Sequence, residues 1–292
     1  MKTITLSISL CLALLHGALA NNSSSSRIVT IGGAATEIVF ALGAGDRVVA
    51  VDLSSTHPPE VEDLPKVGYV RAISPEGVLS MEPDLIVATG ALGPAGARAN
   101  IEQFPIDTIL LPELKTLPEL TDSIRKMAAH LGAEDKGRAL ITKIREQLKL
   151  AAARSLRAEE QRPSVIFLLQ PPGPSSSGMA GGKNTRAHSM IELAGGRNAA
   201  ASLNGFQTLA KESLLALDPE IILVGQSEEH GGSPEAIKAM LEDPALSAVE
   251  AIRNGAIHIV PLDDLAFGPR LGQAVLRWNA LFTETGEGET RP

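Results

Sequence analysis

The sequence is poor in aromatic side chains and nearly free of cysteine. Only 3% of its 292 residues are aromatic, and it contains a single tyrosine, a single tryptophan and a single cysteine. The cysteine, Cys11, lies in an apolar run at the N-terminus. A chain cut after that run would have no thiol, which excludes disulfides and thiol catalysis and leaves the core to apolar packing.

Motifs of several enzyme classes are also missing. The sequence has no GxxxxGK[ST] phosphate loop and no Gly-x-Ser-x-Gly nucleophile turn. The Gly-x-Gly of "LGAGD" follows a predicted helix instead of opening one, so it does not indicate a nucleotide site. Histidines are scattered along the chain, so a bare metal site, which needs three or four converging ligands, is not expected. We therefore do not expect an enzyme.

Basic charge and long apolar runs are scarce as well. The chain carries 26 basic against 34 acidic side chains, a net charge of −8. That balance argues against nucleic acid or an anionic membrane as a partner. Beyond the N-terminus no apolar run reaches about 18 residues, so no membrane span is expected.

The N-terminal residues are typical of an export signal. Lys2, the apolar "ITLSISLCLALL" and the small residues up to Ala20 predict a signal peptide over residues 1–20, cleaved after Ala20. Leu10 is too large for a lipid-attachment site at Cys11, so no lipid anchor is expected. "NNSSSS" predicts a flexible tether over 21–26. The predicted location is the periplasm.

Strands and helices alternate along the rest of the chain, which predicts an α/β fold with mainly parallel sheets. Residues 73–90 match 209–226 at an offset of 136. This repeat predicts two Rossmann-like lobes, over 27–132 and 162–292. Between them, 133–161 has helical periodicity and predicts a stiff linker helix of about 23 residues, roughly 35 Å long. An ordinary surface helix of one domain is the alternative.

A ligand of two such lobes binds in the crevice between them, at the carboxyl ends of the strands. The loops expected there contain "GYVRA", with Tyr69 and Arg71, and "LAFGPR", with Phe267 and Arg270.

Long stretches of the chain resemble a known group of proteins. "RIVTIGGAATEIVFALGAGDRVVAVD", the central helix and "KESLLALDPEIILV" resemble the substrate-binding proteins of ABC importers with a rigid helical linker, which handle haem, cobalamin and ferric siderophores. "LPKVGYVRAISPEGVLS" is similar to the periplasmic haem-binding proteins in particular. The resemblance implies a monomer that captures haem, downstream of an outer-membrane haem receptor system, and delivers it to an inner-membrane permease dimer.

The resemblance also implies that Tyr69 ligates the haem iron. Tyrosine is a known axial haem ligand, and a phenolate suits Fe(III). A cation such as Arg71 would favour the phenolate form. The alternative is a loop tyrosine that covers apolar surface.

Further haem contacts are expected around that ligand. Arginine binds carboxylates through paired donors, which makes Arg71 and Arg270 candidates for the propionates. Val70, Phe267 and the glycine-rich 175–182 segment could cover the ring. Met179 and His188 could approach the second face of the iron, although His188 lies in a predicted helix; a five-coordinate iron stays an alternative.

Glu76 and Glu212 occupy equivalent positions of the repeat, at the start of two short helices. A carboxylate there stabilises the helix N-terminus. The resemblance implies that each glutamate also docks into the permease.

Three alternatives stay open. The same fold could bind a ferric siderophore or cobalamin, whose metal needs no tyrosinate. A metal chelatase or metallo-oxidoreductase subunit is disfavoured by the signal peptide and the missing cysteines. An interaction-only surface protein would not need a cleft.

Overall fold

The computed structural model describes residues 27–155, 161–173, 176–226 and 232–284. The predicted signal peptide, the tether and residues 156–160 of the predicted linker lie outside these ranges. The fold class predicted from the sequence is confirmed, because the chain forms two α/β lobes, each built around its own sheet.

The N-terminal lobe contains a sheet of four parallel strands. Its elements in chain order are β1 (Ile28–Ile31), α1 (Gly33–Ala41), β2 (Val48–Val51), β3 (Gly68–Tyr69), β4 (Ala72–Ile73), α2 (Pro75–Leu79), β5 (Leu85–Thr89), α3 (Ala95–Glu102), β6 (Asp107–Leu111) and α4 (Leu117–Leu131). The sheet order is β2-β1-β5-β6, while β3 and β4 form a separate antiparallel pair. Both faces of β1 and β5 are buried, which explains their continuous apolar sequences.

The long helix α5 (Glu134–Arg154) leads from the first lobe to the second. The C-terminal lobe then contains β7 (Ser164–Gln170), β8 (Gly178–Gly181), α6 (Arg186–Leu193), β9 (Arg197–Asn198), β10 (Phe206–Leu209), α7 (Lys211–Leu217), β11 (Ile221–Gln226), α8 (Pro234–Leu241), α9 (Glu250–Arg253), β12 (Ile257–Pro261) and α10 (Leu271–Glu284). Its sheet order is β10-β8-β7-β11-β12, with β9 also paired to β7.

The C-terminal sheet is mixed, because β8 runs antiparallel to both β7 and β10. The sequence predicted a glycine-rich loop over 175–182, yet this segment contains β8. A Cβ at Gly178 would lie 2.8 Å from the carbonyl oxygen of Gln170. Glycine is therefore needed there for close approach to β7, and its presence does not mark a loop.

The internal repeat is confirmed. The β4–α2–β5 unit of the first lobe corresponds to β10–α7–β11 of the second. In each lobe the last strand of this unit pairs in parallel with the lobe's first strand, β5 with β1 and β11 with β7.

The linker helix α5 lies within the range 133–161 that the sequence predicted, and it ends before that range does. It spans 21 residues, about 32 Å, and Ser155 after it is not helical. Gly137 lies inside the helix, where an added Cβ would be 2.6 Å from the Cβ of Ala128 in α4. At the other end the Asn279 side chain of α10 donates to the Ala151 carbonyl at 3.3 Å. The helix α5 thus packs against both lobes.

Within the described ranges, no helix is both long and apolar enough to cross a membrane.

Candidate functional site

The two lobes meet through loops at the carboxyl ends of their strands. The Arg270 guanidinium, after β12, donates to the Glu37 carboxylate of α1 at 2.8 and 3.1 Å. The Thr56 hydroxyl, after β2, donates to Asp263 at 2.8 Å. These contacts place the crevice between the lobes at the strand ends, where α/β proteins bind ligands.

Tyr69 lies in a hairpin at this edge, formed by β3, the two residues Val70 and Arg71, and β4. The loops that follow β2 and β5 hold the hairpin. The Leu53 N–H donates to the Gly68 carbonyl at 2.8 Å, and the Gly93 N–H donates to the Val70 carbonyl at 2.9 Å. The backbone that carries Tyr69 is therefore fixed on both sides by the loops that follow β2 and β5.

Val70 anchors the hairpin to the N-terminal lobe. Its side chain is 7% exposed and belongs to an apolar cluster of the N-terminal lobe. Val70 is thus packed into its own lobe, and its predicted contact with a haem ring stays a prediction. Its neighbours Tyr69 and Arg71 both remain exposed, with Tyr69 42% accessible. Burying the middle residue turns the phenol and the guanidinium outward together.

Arg270 is held by a partner that the sequence did not indicate. Glu37 is only 6% exposed and accepts two hydrogen bonds from the guanidinium. Burial is the largest influence on the pKa of Arg270 and lowers it. The hydrogen bonds and charge of Glu37, aided by Asp263 and Asp264, outweigh burial and raise the pKa of Arg270. Arg270 therefore ties the two lobes together, and its contact with a propionate stays a prediction.

Phe267, another predicted haem contact, is buried in the structure. It is 1% exposed, packs in the core of the C-terminal lobe and has a left-handed backbone, with φ of 51°. Its role as a cover for haem stays a prediction. Its segment is fixed by Asp264, which accepts a hydrogen bond from the Trp278 ring nitrogen at 2.9 Å.

Met179 and His188 are both partly buried. Met179 lies in β8, opposite Thr208 of β10. His188 lies in the first turn of α6, in the helix the sequence predicted, and its Nδ1 is 3.3 Å from the side-chain nitrogen of Asn198. His188 thus has a local packing and hydrogen-bonding role.

The sequence did not single out three charged residues that the fold brings together. The Lys115 ammonium lies 3.0 Å from the Glu113 carboxylate, just after β6. Arg186, from α6 of the other lobe, donates to the Leu114 carbonyl at 3.0 Å and to the Leu265 carbonyl at 3.4 Å. Only tertiary contact joins Arg186 to the other two, since it is 72 positions from Leu114 in the chain.

Burial and neighbouring charges together shift the pKa values of Glu113 and Arg186. Burial is the largest single influence on the pKa of Glu113 and raises it, but Lys115, then Arg186 and Arg71, lower it by more. The pKa of Glu113 therefore lies below its ordinary value, and the carboxylate is ionised at neutral pH. The pKa of Arg186 is lowered, chiefly by burial, against the opposing charge of Glu113.

Glu76 and Glu212 are exposed at the second position of α2 and of α7. The backbone N–H of Glu76 itself, then the Ser74 hydroxyl at 2.9 Å, lower the pKa of Glu76. The part of the chain that the structure describes contains no cluster of three His, Cys, Asp or Glu side chains able to hold a metal ion.

Known proteins resemble this chain over most of its length. YvrC of Bacillus subtilis, an uncharacterized ABC transporter substrate-binding lipoprotein, is 27% identical over 85% of this chain and 77% of YvrC. A vitamin B12-binding protein of Vibrio parahaemolyticus is 26% identical over 81% of each chain. The structure of the periplasmic heme-binding protein RhuT from Roseiflexus sp. RS-1, in apo form, is 32% identical with a TM-score of 0.78, over 90% of this chain and 100% of RhuT.

Residues 28–263 match the sequence model of a family described as periplasmic binding protein. This match spans well over half of the chain and includes both sheets and the helix between them. The chain therefore belongs to the periplasmic binding protein family.

Proposed function

We propose that this protein is exported to the periplasm, captures haem there as a monomer and delivers it to the permease of an ABC importer. One observation carries the choice of haem. The only tyrosine of the sequence, Tyr69, is exposed beside Arg71 on a hairpin anchored at the edge of the interlobe crevice. The similarity to RhuT, a heme-binding protein, supports the same choice.

The chemistry of this hairpin suits ferric haem. A phenolate oxygen is an axial haem ligand in known proteins. The guanidinium of Arg71, two residues away, places a positive charge beside this ligand. The anchored backbone reduces the entropy lost when the side chain binds, because only two side-chain torsions of Tyr69 must be fixed.

Hemin titration of the wild type and of Tyr69→Phe tests this proposal. The variant keeps the aromatic ring and loses only the oxygen. We expect the tyrosinate-to-iron charge-transfer band of the wild-type complex to vanish and the affinity to fall at least tenfold. Phe104→Ala is the control, because Phe104 is another exposed aromatic residue of the same lobe, near the opposite end of β6. Unchanged spectrum and affinity in Tyr69→Phe would refute the ligand assignment.

Cobalamin is the second candidate, because a vitamin B12-binding protein is among the relatives. Its cobalt needs no tyrosinate from this chain, so the two ligands make different predictions. Titration with cyanocobalamin under the same conditions separates them. Tighter binding of cyanocobalamin than of hemin, with no effect of Tyr69→Phe on either, would replace haem by cobalamin.

We propose further that Glu76 and Glu212 dock the loaded protein on the permease. They lie at equivalent positions of the repeat, one on each lobe, and both are exposed. Glu76→Lys combined with Glu212→Lys should abolish stimulation of importer ATPase activity while hemin affinity is kept. Glu235→Lys is the matched control, because Glu235 is also exposed at the second position of a helix, α8. Equal loss in the control would point to net charge instead of docking.

A further inference from the structure

The charged cluster beside the Tyr69 hairpin has more positive charge than its own carboxylate neutralises. Glu113 is paired with Lys115 at 3.0 Å, and Arg186 donates to the carbonyl of the residue between them, Leu114. Three cations, Lys115, Arg186 and Arg71, act on this single carboxylate. The excess is two positive charges, in a chain whose net charge is −8.

Backbone contacts place Arg71 in the same region as Glu113. The Gly93 N–H bonds to Val70, and a Cβ at Gly93 would lie 3.2 Å from the Arg71 carbonyl. Three residues earlier, a Cβ at Gly90 would lie 2.9 Å from the backbone nitrogen of Glu113. The loop after β5 therefore packs between the hairpin and the loop after β6, and the cluster borders the site of Tyr69.

Two like charges gathered next to a crevice repel one another, and burial makes this repulsion stronger than it is in bulk water. An anionic ligand relieves it. Glu113 shows that Lys115 can hold a carboxylate with ordinary ion-pair geometry, since Nζ and Oε2 are 3.0 Å apart. Lysine and arginine donors form charge-assisted hydrogen bonds to such groups, roughly twice as strong as neutral ones.

We propose that Lys115 and Arg186, together with Arg71, form the subsite that binds the carboxylates of the ligand. Glu113 is the intramolecular carboxylate that competes with the ligand for Lys115. The inference rests on the proposed function, because a haem ligated by Tyr69 carries two propionate groups that need such donors. It assigns to Lys115 and Arg186 the role that the sequence gave to Arg270.

Two substitutions of opposite sign test the subsite. Lys115→Gln removes one donor, so hemin affinity should fall about tenfold, the worth of one charge-assisted hydrogen bond. Glu113→Gln removes the competitor, so hemin affinity should rise several-fold. Arg186 is left intact, because its bond to the Leu114 carbonyl joins the lobes. Lys126→Gln, at an exposed position of α4, controls for the change in net charge.

Hemin dimethyl ester, whose propionates are blocked, supplies the second comparison. The wild type should bind the ester more weakly than hemin while keeping the tyrosinate band, and neither Lys115→Gln nor Glu113→Gln should change its affinity for the ester. A merely structural ion pair would instead make both substitutions weaken hemin and ester alike. Thermal unfolding of each variant verifies that it is folded.

The outcomes separate this inference from the proposed function. Hemin binding that depends on Tyr69 but is equal for hemin and its ester would overturn the carboxylate subsite and leave haem binding intact. A fall in hemin affinity in Glu113→Gln would also overturn the subsite. Absence of hemin binding, or binding unaffected by Tyr69→Phe, would overturn both proposals.

Discussion

The ion pair between Glu37 and Arg270 permits a quantitative test of how the lobes are held together. Arg270→Gln removes the guanidinium and leaves the Glu37 carboxylate, which is 6% exposed, without its two charge-assisted hydrogen bonds. Breaking a buried ion pair from one side typically costs about 3–5 kcal/mol. We expect the lower end, about 3 kcal/mol, because the Arg270 side chain is 30% exposed and water can enter the space it leaves.

The reverse substitution should cost less. Glu37→Gln leaves the partly exposed guanidinium of Arg270, which water can solvate, so the expected loss is about 1–2 kcal/mol. The double variant lacks both the carboxylate at position 37 and the guanidinium at position 270, so no buried charge is left without its partner. Its loss should be smaller than the sum of the single losses by about 1–3 kcal/mol, which is the coupling energy of contacting residues.

Urea unfolding of the four proteins measures this coupling. Trp278 is the only tryptophan, is fully buried and stacks on Phe167 with ring centroids 5.9 Å apart, so its fluorescence reports the C-terminal lobe. Far-UV circular dichroism reports both lobes. Additive losses, with a coupling below about 0.5 kcal/mol, would refute the reasoning and show that the pair does not hold the lobes together.

Three smaller predictions follow from the packing and the caps. Val70→Ala should lower the free energy of unfolding by about 2 kcal/mol and weaken hemin binding, because the hairpin loses its anchor. Urea unfolding and a hemin titration measure the two effects. A variant of unchanged stability that binds hemin weakly would contradict this reasoning. Gly137→Ala should destabilise by about 1–3 kcal/mol despite the better helix propensity of alanine, because its Cβ would lie 2.6 Å from Ala128; a rise in Tm would contradict the close helix contact. Glu119 caps α4 and has a lowered pKa, since the hydrogen bonds and charge around it outweigh the effect of burial, the largest single influence. The stabilising effect of Glu119 is therefore present above the ordinary pKa of a glutamate and is lost as the pH falls through the lower pKa of the folded state. Glu119→Ala should lower the free energy of unfolding by about 1 kcal/mol at pH 7 and by much less near pH 2. A loss that does not depend on pH would argue against the cap.

The fold could be predicted from the sequence because its signals are local or periodic. Continuous apolar strands such as "LIVAT" and the glycines that end helices mark the elements of a parallel sheet. The offset of 136 relates 73–90 to 209–226, and these stretches form matching units of the two lobes. The strand β8 was missed because its residues, "GMAG", have little strand propensity. These small residues are present instead because β8 lies close to β7.

The candidate site was predictable only in part, because sequence gives the residue and not its partners. The exposed positions of Tyr69 and Arg71 fit the loop that the sequence indicated. The ion pair of Arg270 joins residues 233 positions apart, and no local pattern marks Glu37 as its partner. Likewise, Arg186 reaches the carbonyl of Leu114, next to Lys115, only when the lobes pack. Phe267 looked available as a cover because the sequence could not show its burial in the core.

A crystal structure of the protein in complex with hemin would test the central claim most directly. The account predicts that the phenolate oxygen of Tyr69 lies at bonding distance from the iron, with the porphyrin in the crevice between the lobes. An iron ligated by another side chain, with the Tyr69 oxygen remote from the metal, would contradict it.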